Sequence, residues 1–289
     1  MKIFVWLILC LIWGTTWLFI KIGLEDLPPL SFAALRFLLA ILIIGIVIRV
    51  RRIPFPVRAS DWKLLAVTGF LQFSINYSLV FWSEQHISSG LAAVLQATIP
   101  VFGLILAWFY LPEERLTPLK VIALTAGIFG VAVIFYEQLR INTIMAFLGS
   151  LAIVIGAYAA AHASILTKAK GSSLHPASMV LGQMICGTAP IIVMALITEG
   201  SPLGIRFSFK ALFSILYLTI FGTIAAFWLY YWLLHKVEST KAMTIALVTP
   251  LIAVIAGAVF LGERLLPRTI LGGIMILSGV GLIVFRKRI

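Results

Sequence analysis

Residues 91–118, LAAVLQATIPVFGLILAWFYLPEERLTP, return in altered form as residues 241–267, KAMTIALVTPLIAVIAGAVFLGERLLP. Ala92, Pro100 and Leu111 recur as Ala242, Pro250 and Leu261 at a spacing of 150. One residue is then dropped. Glu114, Arg115, Leu116, Pro118, Gly130, Val131 and Ile134 recur as Glu263, Arg264, Leu265, Pro267, Gly279, Val280 and Ile283 at a spacing of 149. Order and phase hold across an apolar run, a short charged loop and the start of another run, which marks an internal duplication rather than chance. Fainter echoes extend it: Gly14 against Gly156, Pro29 against Pro176, and Trp82 against Trp232.

Each copy of the quoted stretch contains an apolar run long enough to cross a bilayer, about 20 residues for a hydrocarbon core of about 30 Å. Working outward, ten such runs appear, at 3–20, 30–48, 64–83, 87–112, 121–136, 141–167, 174–198, 211–234, 242–262 and 269–285. Only the second carries a full charge, Arg36. With a mean hydropathy of +1.13 and 11% charged residues, the chain cannot present the polar surface of a water-soluble domain. In hydrocarbon every backbone N–H and C=O must be paired within the protein, and long runs without alternation exclude a barrel. The expected fold is an all-α membrane protein of ten transmembrane helices. The repeat divides them into halves of five, 1–137 and 141–289. Five is odd, so the second half enters the membrane from the opposite side and the repeats are inverted. Lys2 ahead of the first run mimics a signal peptide, but that run is long, lacks a small-residue cleavage site and reads as a first helix.

The formal charge of +12 is sorted by loop, as in a membrane protein. With the N-terminus inside, fifteen lysines and arginines fall on the inner side: Lys2, the five between Arg49 and Lys63, Arg115, Lys120, Lys168, Lys170, Lys236, Lys241 and Arg286 to Arg288. Six fall outside, namely Lys21, Arg140, Arg206, Lys210, Arg264 and Arg268. Both termini are therefore expected in the cytoplasm. The cluster around Pro54 and Pro56 is an orientation signal and a contact for anionic lipid, not a nucleic-acid site.

The pieces Trp13-Gly14-Thr15-Thr16-Trp17, Pro28-Pro29 with Ala34-Leu35-Arg36-Phe37, Gln96 with Pro100, Glu114-Arg115-Leu116 and Gly130-Val131, then Pro250, Gly262-Glu263-Arg264-Leu265 and Gly279-Val280, stand in order along the chain. In this it resembles the ten-helix EamA branch of the drug/metabolite transporter superfamily, over its whole length. The resemblance implies export or exchange of small metabolites, amino acids or drugs across a bacterial inner membrane without ATP hydrolysis. The partners implied are a solute and the lipid bilayer.

Trp13, Thr16 and Trp17 share a helix face beside Gly14, fit to wall a cavity or to pack. Gln72, Asn76 and Tyr77 in the third helix and Gln96 in the fourth need protein or water partners, as solute contacts or as interhelical glue. Tyr158 with His162, and Trp228 with Tyr231, Trp232 and His235, form further polar-aromatic faces, of which Trp232 and His235 read as interfacial. A cavity among helices 1, 3, 4, 6, 8 and 9 would suit an aromatic or amphipathic solute. Pro100 and Pro250 each lack the N–H of a helical bond and are expected to kink equivalent helices as gates. Arg36 reads as structural, snorkelling or bonded to neighbouring carbonyls, with a solute carboxylate as its alternative partner. Glu84, Glu114, Glu137, Glu199 and Glu263 lie near membrane ends, where solvation or helix capping is expected. With no mid-helix carboxylate, His162 is the deep titratable candidate, and facilitated diffusion or exchange stands beside proton antiport.

Cys10 and Cys186 lie in separate apolar runs and read as packing residues. Four scattered histidines and the absence of a nucleotide-binding loop or paired-histidine motif argue against a metal, a cofactor or an enzyme. A channel or lipid-handling protein is the remaining rival, disfavoured by the inverted halves and the lack of a repeated pore loop.

Overall fold

The computed structural model describes residues 1–87, 89–139, 143–201, 207–261 and 266–285. Arg140, Arg206, Gly262-Glu263-Arg264-Leu265 and Arg286 to Arg288, all used above, lie outside the described residues. Within them every regular element is helical. The helices are α1 (Lys2–Leu24), α2 (Pro29–Val50), α3 (Ala59–Ser83), α4 in two pieces (Ser89–Gln96 and Ile99–Tyr110), α5 (Pro118–Ile134), α6 (Ile144–Lys170), α7 (Pro176–Thr198), α8 (Phe209–Lys236), α9 in two pieces (Ser239–Met243 and Ile245–Leu261) and α10 (Pro267–Val284). Eight spans are long and apolar enough to cross a bilayer, and α5 and α9 supply two shorter apolar ones. At 17 residues α5 is about 26 Å long, near the lower limit for a crossing.

Local chemistry sets many of the starts. Pro29, Pro118, Pro176 and Pro267 each open a helix, where the missing N–H costs nothing and the fixed φ is already helical. Thr143 and Ser208 cap α6 and α8, accepting from the amides of Ala146 and Ala211 at 3.1 and 3.0 Å. Two helices change pitch midway. Phe70–Asn76 in α3 and Leu218–Ala225 in α8 are π-helical, at corresponding places in the two halves.

Helix packing repeats when the halves are exchanged. Helix α5 packs on α10 and α2 on α7; α1 on α9 answers α4 on α6; α3 on α7 answers α2 on α8; and α3 on α6 answers α1 on α8. The α5–α10 seam shows the same relation at atomic scale. A Cβ on Gly130 would sit 2.6 Å from the carbonyl oxygen of Gly272, and one on Gly279 would strike the carbonyl oxygen of Ala123. The 149-residue offset that carries Gly130 to Gly279 carries Ala123 to Gly272. These bare backbones let the two helices touch, the closest approach van der Waals packing in lipid allows.

Contacts also sort the helix ends into two groups. Lys2, Glu113, Glu114, Lys168, His235 to Glu238, Lys241 and Val284 line one hollow, the basic end. At the opposite end the Glu199 carboxylate, after α7, accepts from the first amides of α2, Leu30 and Ser31, at 2.7 and 2.8 Å. There Arg268 meets Glu137 at 2.5 Å and Ser208 bonds Asp26. The bundle's perimeter carries exposed Leu42, Ile46, Phe129 and Ile274, apolar side chains whose solvent is lipid.

Polar side chains between helices are tied together. Gln183 donates to Thr68 at 2.8 Å and to Thr167 at 3.0 Å, while its carbonyl accepts from Tyr231, so α3, α6, α7 and α8 share one buried node. Cys10 is buried, Cys186 half-buried, and both are free thiols.

Candidate functional site

Trp13, Thr16, Trp17 and Ile20 form the stripe of α1 that faces inward, and opposite them the π segment of α3 brings in Gln72 and Asn76, followed by Tyr77 and Val80. Ala93, Gln96 and Ile99 of α4, Ala160 and Ser164 of α6, Phe227 and Tyr230 of α8, and Ala242, Met243, Ile245, Ala246 and Thr249 of α9 close a cavity of about 150 Å³. Both halves contribute, three helices each.

The wall is aromatic with a few fixed polar groups. Trp13 stacks edgewise on Phe227 and Tyr230, ring centres 5.6 and 5.2 Å away, and its indole N–H donates to the carbonyl of Gly222 at 3.3 Å. That carbonyl belongs to the π segment of α8, so the irregular turn supplies the partner that a mid-membrane Trp requires. Thr16 donates back to the carbonyl of Trp13, the Tyr230 hydroxyl bonds to Ser164 at 3.1 Å, and the Gln96 amide reaches Asn76 at 3.4 Å.

Pro100 and Pro250 act on this wall through the bonds they cannot make. A proline at position i leaves the carbonyl at i−4 without its helical donor. The carbonyls so released belong to Gln96 and Ala246, equivalent residues that both line the cavity. Thr249 covers that of Ala246 weakly, at 3.4 Å. The visible breaks are not symmetric. In α4 the helix is interrupted at Ala97 and Thr98, just ahead of Pro100, whereas α9 is interrupted at Thr244 and runs helically through Pro250. The Thr244 hydroxyl at that break accepts from the Trp6 indole at 3.2 Å.

Seven of the ten cavity candidates read from the sequence thus meet at one wall: Trp13, Thr16, Trp17, Gln72, Asn76, Tyr77 and Gln96. The other three lie elsewhere. Tyr158 is 42% exposed on the perimeter, with His162 and Phe102 against its ring, and His162 also meets Tyr110. Trp228 packs edgewise on His175. Tyr230, Phe227, Ser164 and Thr249 were not singled out. Tyr230 carried a signal, since Phe227, Tyr230, Tyr231 and Leu234 also fall at i, i+3, i+4 and i+7 and are all buried. In the sequence the neighbouring face, with Trp228 and His235, is the richer in polar groups and masks that signal.

Arg36 neither snorkels nor bonds to carbonyls. It is 1% exposed, and its Nε and Nη2 donate to the Thr223 hydroxyl at 3.3 and 2.9 Å. Two acidic residues are not simply solvated, and Glu114 takes the other role expected of it, capping the start of α9. Glu84, just beyond α3, keeps Oε1 buried without a partner. Glu114, 2% exposed, accepts from the Ser239 amide at 2.9 Å and from its hydroxyl, and pairs with Lys168 at 2.6 Å. That cluster joins the loop after α4, the end of α6 and the start of α9. Beneath the cavity, Leu106, Ala107, Leu111, Ala161, Ile165 and Met243 pack together, with Met243 also in the cavity wall. Beyond lies the basic-end hollow, about 560 Å³. The basic-end hollow, the apolar packing around Met243 and the aromatic cavity therefore follow one another along the bundle. Among the described residues no three His, Cys, Asp or Glu converge as metal ligands.

The model of the EamA-like transporter family matches residues 1–136 and again 147–285. The chain is 31% identical over 265 residues to the uncharacterized inner membrane transporter YedA of Escherichia coli K12, covering 89% of this chain and 82% of that one. It is 25% identical over 270 residues to the uncharacterized transporter YoaV of Bacillus subtilis, covering 93% and 92%. It is 27% identical over 291 residues to an E. coli K12 protein named a probable amino-acid metabolite efflux pump, covering 98% and 94%. A solved crystal structure of a protein superposes with a TM-score of 0.83 at 16% identity, over 98% of this chain and 96% of that one, which shows a shared fold.

Proposed function

Because the chain belongs to the EamA-like transporter family, we propose that it is a secondary transporter that moves a small organic solute across a bacterial inner membrane by alternating access, as an exporter or exchanger. The repeats 1–137 and 141–289 are its two inverted halves, and the basic end is the cytoplasmic one, with both termini there.

The observation that carries this reading is the cavity itself. It lies between the halves, draws three helices from each, and on its basic-end side meets the apolar packing around Met243 and, beyond it, the Glu114–Lys168–Ser239 cluster. Inverted repeats of similar energy can exchange conformations, which opens such a cavity to each side in turn. Aromatic rings, the amides of Gln72, Asn76 and Gln96 and the carbonyls released by Pro100 and Pro250 suit an amphipathic solute with N–H and C=O groups. The name of the E. coli relative makes amino-acid metabolites the first solutes to test. Purified protein in liposomes is expected to show saturable uptake of a labelled solute, accelerated by unlabelled solute inside. Flux proportional to concentration without counterflow would instead indicate a channel and overturn the carrier mechanism.

A further inference from the structure

We infer that the guanidinium of Arg36 is the fixed charge of the cavity and makes it select solutes bearing an anionic group, a carboxylate being the simplest, over neutral and cationic counterparts. This rests on the carrier reading and adds the class of solute.

Arg36 is the eighth residue of α2 and is wholly enclosed. Its surroundings are neutral. The Thr223 hydroxyl takes Nε and Nη2, Nη1 has no partner, and the rings of Phe37, Tyr77 and Phe81 stand 4.9, 5.0 and 5.9 Å from the guanidinium carbon. The ion pairs formed among the described residues are Lys120–Glu238, Lys168–Glu114, Lys210–Glu25 and Arg268–Glu137, and none includes Arg36. Ring faces and a hydroxyl soften a buried cation without cancelling its charge.

The charge lies one ring behind the cavity wall. Tyr77 is in that wall and against Arg36 at once, and Phe227 of the wall packs on Tyr77 with ring centres 6.4 Å apart. Among the described residues the lining includes no Asp, Glu, Lys, Arg or His to offset the field. At 1% exposure the guanidinium is little screened where it sits, so its field reaches across one ring's thickness into the cavity. A solute carboxylate entering the cavity supplies the missing counter-charge, and an ammonium without a carboxylate meets repulsion. The released carbonyls of Gln96 and Ala246 accept N–H donors, so an amine alone is not the discriminating group. The discriminating comparison keeps the amine constant and changes only the carboxylate.

The test measures binding to the purified full chain by intrinsic tryptophan fluorescence, using phenylalanine against phenylalaninamide and phenylacetate against phenylacetamide. Each acid is expected to bind on the order of tenfold tighter than its amide. Arg36→Lys should keep that ratio, and Arg36→Met or Arg36→Gln should bring it close to one while leaving amide binding in place. An unchanged ratio in the neutral variants, or wild-type preference for the amides, overturns the inference. If neither neutral variant folds, the wild-type ratio decides alone. If none of the four compounds binds, quenching decides. The part of the fluorescence lost in Trp17→Phe should be quenched by iodide more than by caesium at equal acrylamide access, and equal quenching overturns the inference. Lack of counterflow with any solute would sink the carrier reading alone, because the acid-to-amide ratio is read from binding.

Discussion

One turn beyond the cavity residue Val80, Glu84 shows how a single side chain at a membrane end can register pH. Its Oε1 is buried without a partner, and burial pushes the carboxyl up to about 7, against a smaller downward pull from Lys21. An unfolded glutamate titrates near 4.5. Because the folded value is the higher one, the folded state binds the proton more tightly. The resulting stabilisation is fully present below the unfolded value and is lost as pH rises through about 7. Thermal stability of the purified protein is therefore expected to fall between pH 5 and pH 8, by at most about 3 kcal/mol from this group. Glu84→Gln should flatten that slope. An equally steep slope in the variant would show that other groups set it. The sequence placed Glu84 correctly at a span's end, yet nothing in a hydropathy profile distinguishes a carboxylate in water from one tucked under a helix terminus. Glu114 was hidden for the same reason: its partners, Lys168 and Ser239, are far away in sequence.

Helices were more legible than side-chain environments, because length, apolarity and proline position act locally. The ten runs, the starts at Pro29, Pro118, Pro176 and Pro267, and the inward stripe Trp13, Thr16 and Trp17 all follow from such local rules. The π segments of α3 and α8 do not. A π turn changes the rotation per residue, so a helical wheel drawn through Leu218–Ala225 loses register before it reaches Trp228. The uneven breaks in α4 and α9 are likewise invisible in the matching prolines, since packing decides where each helix yields. The echo of Gly130 in Gly279 was legible, but its purpose appears only in the α5–α10 seam. Gly130→Ala would drive a methyl into the backbone of Gly272, which no rotamer change relieves. A loss of about 1–3 kcal/mol of stability is expected, seen as a lower melting temperature in detergent. Gly45→Ala in α2, where a Cβ meets nothing within 4 Å, is the control and should be neutral or slightly stabilising. Equal behaviour of the two variants would show that the seam has room to spread.

For the whole molecule, the proposed alternating access makes the apolar packing and ion cluster at the basic end the cytoplasmic closure. Glu114, from the first half, holds the start of α9 and the end of α6, both from the second, while Lys120 at the start of α5 meets Glu238 at 3.1 Å. On that proposal, opening the cavity toward the basic end must part α4 from α6 and α9, and so must break the Glu114 bonds and separate Leu111 and Ile165 from Met243. In the closed state these charges are desolvated but paired, whereas in the open state each is hydrated, so the pair adds to closure only while both partners are present. Glu114→Gln removes the ionic part and keeps the side chain's shape. The equilibrium should move toward the cytoplasm-open state by a factor of about ten or more, since 1.4 kcal/mol of differential interaction suffices for that. The readout is labelling of Met243→Cys, with Cys10 and Cys186 replaced, by a membrane-impermeant thiol reagent in inside-out vesicles. Labelling is expected to be slow with Glu114 intact and to rise roughly tenfold in Glu114→Gln. A solute that binds more tightly when the cavity is closed to the cytoplasm should slow it again. Unchanged labelling would mean that the apolar plug alone sets the closed state, and that the Glu114 cluster only aligns the ends of α6 and α9.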